Sequence, residues 1–548
     1  MRNLGGPVAF ICCAIAAACG SSSDGASSSS GSSGNNPDGS SGGDGGQNES
    51  SSGSSGKPPP EEGPSDIPRA VKVARTTTIP ACTLFVDAAA TGGGGNGTAA
   101  TPFNTIGAAV SAASAGAIIC VAEGTYAEKL SPGAKFLTLA GGFKSKSDFK
   151  VRDSAVNITK AKGNGSGSFF RVENEDAPKA GQLTVIDGFE ITGYSQGIFR
   201  ETYFGQNFDI TNNNIHDNVC TTNATGGGFT LNNVTGTISG NVIARNKCAR
   251  GGAGSVGDTT DMNAVSITNN LVDGNKGTEP QSSHGGGLYL FGHALTITGN
   301  EFTGNDVTGW GGAVYVGADA STATTATLKW NIYRDNRAGG SGGGFFCDDS
   351  ATCHSDHEVY DSNCGGNVYV DCAPTGRPAT IAVFDHMTNI NARAVGCGGP
   401  GPGVNVDKDN QAPDNFSFTN SIFWGNAPGA DFSTSCVSGC GTTTVSVTYS
   451  NVQTSYVSNV GANGAVKVTF GAGNTAADPL FVDAAAKDFH LRSTKGHWTA
   501  NGYAPDSADS AALKAGDPQS AVNFNPDRAG TRTELGTYGN SVEASYVQ

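Results

Sequence analysis

Apolar and polar residues alternate along much of this chain in short runs, as at Leu288/Leu290, Val314/Val316 and Ile297 with Phe302 beyond it. A period of two over such runs predicts strands, because successive side chains of a strand point to opposite faces. The runs also repeat. One nine-residue unit recurs at Ile210-TNNNIHD-Asn218, Ile238-SGNVIAR-Asn246, Ile267-TNNLVDG-Asn275, Ile297-TGNEFTG-Asn305, Leu328-KWNIYRD-Asn336 and Phe418-TNSIFWG-Asn426, with a degenerate copy ending at Asn363. The first five closing asparagines and Asn363 are spaced by 28, 29, 30, 31 and 27 residues. A second unit interleaves with the first at Gly226-GGFTL, Gly251-GAGSV, Gly285-GGLYL, Gly311-GAVYV, Gly342-GGFFC and Gly365-GNVYV. Gly pairs and Asn-Gly or Asp-Asn steps between the strands supply turns with positive φ.

A repeat of about thirty residues that holds strands and no helix is one coil of a parallel β-solenoid. Spacing varies because insertions leave through loops while the strands stay in register. A β-propeller would need four strands and a longer repeat per blade. The recurring asparagines (Asn218, Asn246, Asn275, Asn305, Asn336 and Asn363) are expected to stack at one turn, their amides hydrogen-bonding along the axis. Residues 79–495 leave room for roughly 14 or 15 coils, a rod ~70 Å long at the usual strand spacing. Residues 496–548 are expected to close the fold.

Upstream, the pattern changes. From Gly20 to Gly56 the only apolar side chain is Ala26, so this stretch cannot bury surface and is expected to be a flexible tether with a reach of ~30–40 Å. Lys57-Pro-Pro-Pro-Glu-Glu-Gly-Pro64 stiffens it, and the tether is expected to span residues 19–78. Arg2 followed by the apolar run Val8 to Ala18 reads as an export signal over residues 1–18, too short to cross a bilayer as a permanent helix. Ala16-Ala-Ala-Cys19-Gly20 resembles a bacterial lipobox, which implies lipidation of Cys19, a membrane partner through that anchor and sorting to the outer membrane. An ordinary signal peptide cut nearby is the alternative.

Composition agrees with an exported all-β chain. Gly accounts for 81 of 548 residues and charged residues for 15%. The net charge of −15, with no Lys/Arg run, argues against a nucleic-acid partner. Eleven cysteines follow Cys19, an odd number that leaves at least one free or paired elsewhere. In an exported chain they predict disulfides, with Cys220–Cys248, Cys347–Cys353 and Cys436–Cys440 as candidate pairs.

The start of the body, Leu84-FVDAAATGGGGNGTAATPFNTIGAAVSAASAGAIICVAEGTYAEKL-130, resembles the opening of exported bacterial β-helix proteins of the pectin-lyase-like superfamily. That resemblance implies a single-stranded right-handed parallel β-helix with a short N-terminal capping helix, here about Ile106 to Ser114. Asp478-PLFVDAAAKDFHL-491 resembles the last-coil signature of the same group, and Gly530-TRTELGTYGN-540 its closing segment. Gly-Gly-Ala-Val at 311–314 and Phe-Thr-Gly-Asn at 302–305 are similar to repeats of polymorphic outer-membrane proteins. The superfamily mixes lyases, hydrolases, adhesins and proteins without known activity, so the resemblance implies fold more than chemistry.

The chemistry is sparse. Lyases on this fold hold calcium with clustered acids and abstract a proton with Arg or Lys, and glycosidases use two or three aspartates on adjacent coils. Neither set is recognisable, and His284 before Gly285-Gly286 reads as a turn residue. The densest polar cluster contains Asp348, Asp349, His354, Asp356, His357 and Glu358 within Cys347–Glu358. It could bind a metal such as calcium or hold an acid/base pair, or be a loop pinned by Cys347–Cys353. Asp258, Asp261, Asp361 and Asp371 are scattered and read as turn caps. Trp310, Tyr315, Tyr333 and Trp424 could form a sugar-stacking stripe, although their places in the repeat favour packing between coils. Two readings follow: a non-catalytic envelope protein with a binding, adhesion or surface-structural role, its partner a polysaccharide or a cell-surface protein, and a polysaccharide lyase or glycoside hydrolase.

Overall fold

A computed structural model describes residues 74–546, apart from 91–94, 175–181, 203–205, 222, 258–262, 280–282, 319–323, 374–376, 398–400, 409–413, 427–429, 437–442, 456, 462–465 and 525–531. Cys19, the export signal and most of the expected tether lie outside the described residues, as do Asp258, Asp261 and Cys440.

Each coil contributes one strand to each of three long parallel sheets. The first face has 14 strands, the second 12 and the third 11 among the described residues. One coil reads Asn263–Thr268 on the first face, Leu271–Asp273 on the second and Leu288–Phe291 on the third. The next reads His293–Thr298, Glu301–Thr303 and Val314–Gly317. Every strand of these three sheets pairs in parallel with the equivalent strand one coil away, so the chain is a single-stranded right-handed parallel β-helix.

The alternation seen in the sequence becomes three interior rows. On the first face Ile210, Ile238, Ile267, Ile297 and Leu328 stack in register, followed by Ser355, Phe384, Phe418 and Val447. On the second, Ile215, Ile243, Val272, Phe302, Tyr333 and Tyr360 follow one another. The rings of Tyr333 and Tyr360 lie 4.6 Å apart, 7° from parallel. Ser355 leaves a gap in the first row where the bulkier Tyr360 occupies the second.

The six expected asparagines are all fully buried and form the ladder. Asn305 Oδ1 accepts both the backbone N–H (3.1 Å) and the Nδ2 (3.0 Å) of Asn275, while Asn305 Nδ2 donates to Val272 O at 2.8 Å. Asn363 ends the series on Asn367 Oδ1, 2.9 Å away. A second ladder runs beside it through Asn213, Asn241, Asn270, Asn300 and Asn331, for example Asn270 Nδ2 to Asn300 Oδ1 at 2.9 Å. Those asparagines sit at the fourth position of the same nine-residue units. Each is preceded by a left-handed turn residue: Asn212, Gly240, Asn269, Gly299 and Trp330, then His357, His386 and Asn420 on later coils.

The helix spans Ile106–Ala112, shorter than its expected end at Ser114. Ala113 already has extended backbone, Thr105 caps the N-terminus by accepting from Ala108 N, and Glu128 accepts from Ile106 N and Gly107 N. Residues 74–78, expected in the tether, are tied to the body. Arg75 pairs with Asp153, Thr76 N donates to Ser154 Oγ, and Arg152 donates to Thr78 O.

Two expectations at the C-terminal end are corrected. Residues 478–491 are not a last coil: Phe481–Asp483 and Asp488–Leu491 pair antiparallel as a hairpin. Residues 480–524 and 532–545 then fold back as a strap over the outside of the second face. There the outward row changes from polar Glu301 to apolar Ile332, Val359 and Ile422, and Ile390 joins them. Phe481, Phe489, Leu491, Ala512, Leu513, Leu535 and Tyr538 cover that patch. Lys487 adds an ion pair to Asp361, 2.6 Å away.

Disulfides join Cys82–Cys120, Cys220–Cys248, Cys347–Cys353 and Cys364–Cys397. Two of the three candidate pairs are formed. Cys436 ends the strand Phe432–Cys436, and its expected partner Cys440 is not described.

Candidate functional site

The dense cluster of residues 347–358 does not stay together. Phe345–Cys347 is a third-face strand, Thr352–Asp356 a first-face strand and Val359–Asp361 a second-face strand. The segment therefore passes two corners in fifteen residues and aims its side chains in different directions. Asp348 and Asp349 face outward beside the third face. His354 projects from the first face into solvent. His357 turns the next corner, and Glu358 points into the core. Cys347–Cys353 crosses the first corner from inside, with both cysteines fully buried.

Glu358 takes the place of an asparagine in the second ladder. Its Oε1 accepts Asn331 N at 3.1 Å and Asn331 Nδ2 at 3.0 Å. Complete burial pushes its pKa well above the usual carboxylate range, and its Oε1 accepts in the place of an amide oxygen. It is unavailable to an external substrate.

The outer surface of the third face carries the richest polar and aromatic arrangement. Tyr289, Tyr315, Phe346 and Tyr369 are in register on four successive coils. Phe346 stacks on Tyr315 at 5.3 Å and on Tyr369 at 4.5 Å, and these three are nearly covered. Tyr289, Trp310 and His284 are half-buried at one end, with the His284 ring stacked 5.3 Å from Trp310. The next outward row is acidic. Asp371 is in register with Asp407, and Asp348 follows Cys347, the partner of Val370.

Tyr315 donates its hydroxyl to Asp348 Oδ2, and Tyr369 donates to Asp407 Oδ2 at 2.8 Å. Arg377 Nη1 lies 3.5 Å from Asp349 Oδ2. Burial raises the Asp348 pKa against the hydrogen bonds from Tyr315, the Asp349 amide and Asp371. Desolvation and the Asp348 charge push the Tyr315 hydroxyl far above its ordinary value, which keeps it a donor.

One oxygen from each of Asp348, Asp349 and Asp371 lies within 4.8 Å of the others. An all-oxygen set of this kind suits a hard cation such as calcium. His354, His357 and Glu358 are not part of it.

Of the four aromatics considered for a sugar-stacking stripe, Trp310 and Tyr315 share the third face. Tyr333 is in the core, and Trp424 packs beside the C-terminal strap. Asp371, read as a scattered turn cap, instead ends the strand Val368–Asp371 beside Asp348, and the sequence holds a sign of this in Gly342-GGFFC and Gly365-GNVYV, both followed directly by Asp; Tyr369 and Asp407 were not singled out.

His357 forms a second polar centre with His386 of the next coil. Their rings stack at 4.7 Å, 8° from parallel. Asp356 Oδ1 lies against His357 Nδ1 and 3.9 Å from His386 Nδ1, and Asp385 Oδ1 is 3.2 Å from His386 Nδ1. The strap caps both rings, with His357 Nε2 bonded to Gly539 O at 2.7 Å and His386 Nε2 3.3 Å from Thr533 Oγ1.

Residues 90–328 match the family described as "Protein of unknown function (DUF1565)", and residues 435–516 match "Disaggregatase related". No curated protein sequence matches the chain. Among solved structures, the chain is similar to pectate lyase Pel9A at 13% identity and a TM-score of 0.34, covering 83% of this chain and 95% of that one. It is also similar to XylC in its complex with xylose, at 12% identity and a TM-score of 0.41, covering 73% and 87%.

Proposed function

We propose that this protein is a polysaccharide-binding rod of the bacterial cell envelope, held by a lipid on Cys19 and presenting its third face to an extended glycan. The observation that carries the reading is the outward strip on four to five successive coils, with Trp310, Tyr289 and His284 at one end and Asp348, Asp371 and Asp407 at the other. At ~4.8 Å per coil such a strip is roughly 20 Å long, the span of about four extended sugar units. Ring faces at the half-buried end stack on pyranose C–H groups, and carboxylates accept from sugar hydroxyls. The lipobox-like Ala16-Ala-Ala-Cys19 and the polar stretch to Gly56 support the anchor, and the repeats similar to polymorphic outer-membrane proteins support outer-membrane display. The disulfides agree with an oxidising compartment.

A lyase or hydrolase acting on polysaccharide is the second reading, and the convergence of Asp348, Asp349 and Asp371, one carboxylate oxygen from each within 4.8 Å of the others, favours it.

The discriminating experiment is a polysaccharide panel with calcium or EDTA, read for binding, reducing-end release and unsaturated-uronate absorbance. Retention without cleavage, weakened tenfold or more by Trp310→Ala or Asp371→Asn, is the expected result (about 1.4 kcal/mol or more). Cleavage abolished by Asp348→Asn would replace binding with catalysis. Absence of both, in wild type, would remove the glycan reading.

A further inference from the structure

The corner beneath the strap has the chemistry of a metal site. Asp356, His357 and His386 each aim one ligand atom into a common volume, all within 4.8 Å of one another. Both imidazoles are at least nine-tenths buried, and neither Nδ1 makes a well-directed hydrogen bond, although Asp356 Oδ1 lies against that of His357 and Asp385 Oδ1 is 3.2 Å from that of His386. The opposite nitrogen of His357 decides the tautomer. Its Nε2 is 2.7 Å from Gly539 O, a carbonyl that only accepts, so Nε2 carries the proton and Nδ1 of the neutral ring presents a lone pair. That lone pair faces the Asp356 carboxylate, an arrangement that repels unless a cation lies between them.

Protonating Nδ1 would remove the repulsion at His357, but would place an imidazolium 4.7 Å from the stacked ring of His386, whose own Nδ1 faces carboxylates too. A single divalent ion satisfies both rings and the carboxylate together. The outer bonds match what metal-bound histidines make, one to a backbone carbonyl and one to a hydroxyl.

We propose that Asp356, His357 and His386 bind zinc, and that the ion staples the C-terminal strap to the corner of the coil. Two imidazoles and a carboxylate are a borderline-soft set that suits zinc better than calcium. Tetrahedral zinc with bonds near 2.0–2.1 Å puts ligand atoms roughly 3.3 Å apart. Asp356 Oδ1 is 3.9 Å from His386 Nδ1 and Asp385 Oδ1 3.2 Å from it, whereas Asp356 Oδ1 lies closer than that spacing to His357 Nδ1, so loading the ion moves the Asp356 carboxylate away from His357. The fourth position falls to Asp385 Oδ1 or to water from the adjoining cavity of about 130 Å³, which Asp356, His357, Asn523, Phe524 and Asn540 line. Lys329 Nζ, 3.7 Å from Asp356 Oδ2, holds the other carboxylate oxygen and leaves Oδ1 for the ion.

The test uses full-length protein without an affinity tag, stripped with EDTA and titrated with zinc chloride by calorimetry, with bound zinc counted by atomic emission. One zinc per chain and a rise in melting temperature on loading are expected. Asp356→Asn and His386→Gln should each weaken binding roughly tenfold or more and abolish the thermal shift. Asp356 is 38% exposed, so its variant folds even if the buried histidine's does not, and circular dichroism checks both. Cobalt should give the visible bands of a tetrahedral N/O site in wild type and lose them in Asp356→Asn. No zinc on wild type, or equal binding by folded Asp356→Asn, would overturn the site.

Discussion

An asparagine in these ladders makes more hydrogen bonds than its size suggests, because its amide accepts from one coil and donates to another. Asn305→Ala removes the acceptor for both Asn275 donors and the donor to Val272 O and Asn336 Oδ1. With every partner buried, the expected cost is about 2–4 kcal/mol, to be read from urea unfolding. Glu358 shows the same geometry with a titratable group. Its folded pKa is raised above the unfolded value of 4.5, so its contribution to stability is complete below pH 4.5 and is lost as pH rises towards the folded pKa. Glu534, pushed up to about 8 chiefly by burial, acts with the same sign between about pH 4.5 and 8. Glu358→Gln should keep the rung as an amide and remove its share of that loss. The expected outcome is a melting temperature higher by roughly 1–3 °C at pH 8–9 and little changed at pH 4, measured by calorimetry.

At the scale of elements, coils are held by neighbours and the strap is held by an apolar patch. Cys220–Cys248 ties consecutive coils across 28 residues, and replacing both cysteines with serine should cost at most about 4 kcal/mol by the loop-entropy argument. Removing residues 480–548 uncovers Ile332, Val359, Ile390 and Ile422. The shortened protein should bind a hydrophobic dye such as ANS and aggregate, where the full chain does neither. The strands and first ladder were legible because they recur: Ile210, Ile238, Ile267 and Ile297 mark one interior row by position alone. The second ladder was present in the same units, but the eye follows the closing Asn rather than the fourth residue. The strap was not legible, because what it covers shows only as Glu301 giving way to Ile332, Val359 and Ile422 at equivalent positions. The candidate site was least legible of all. Adjacency along Cys347–Glu358 suggested one cluster, whereas a coil corner scatters neighbours and brings Asp348 to Asp371, one turn later.

For the molecule as a whole, the strap reverses the order in which the rod is completed. A solenoid grows by adding each coil to the one before, so its contacts are mostly local and the N-terminal coils can form while the rest is still being made. The coils around Ile332 to Ile422 break that rule: His357 waits for Gly539, 182 residues later, and Glu358 O waits for Thr537, 179 residues later. During synthesis one side of the middle coils is finished before the other. At ~5–20 residues per second, that side stays bare for roughly 10–40 seconds until the last segment emerges. A chain stopped before the strap is made is thus recognisable by its sticky flank.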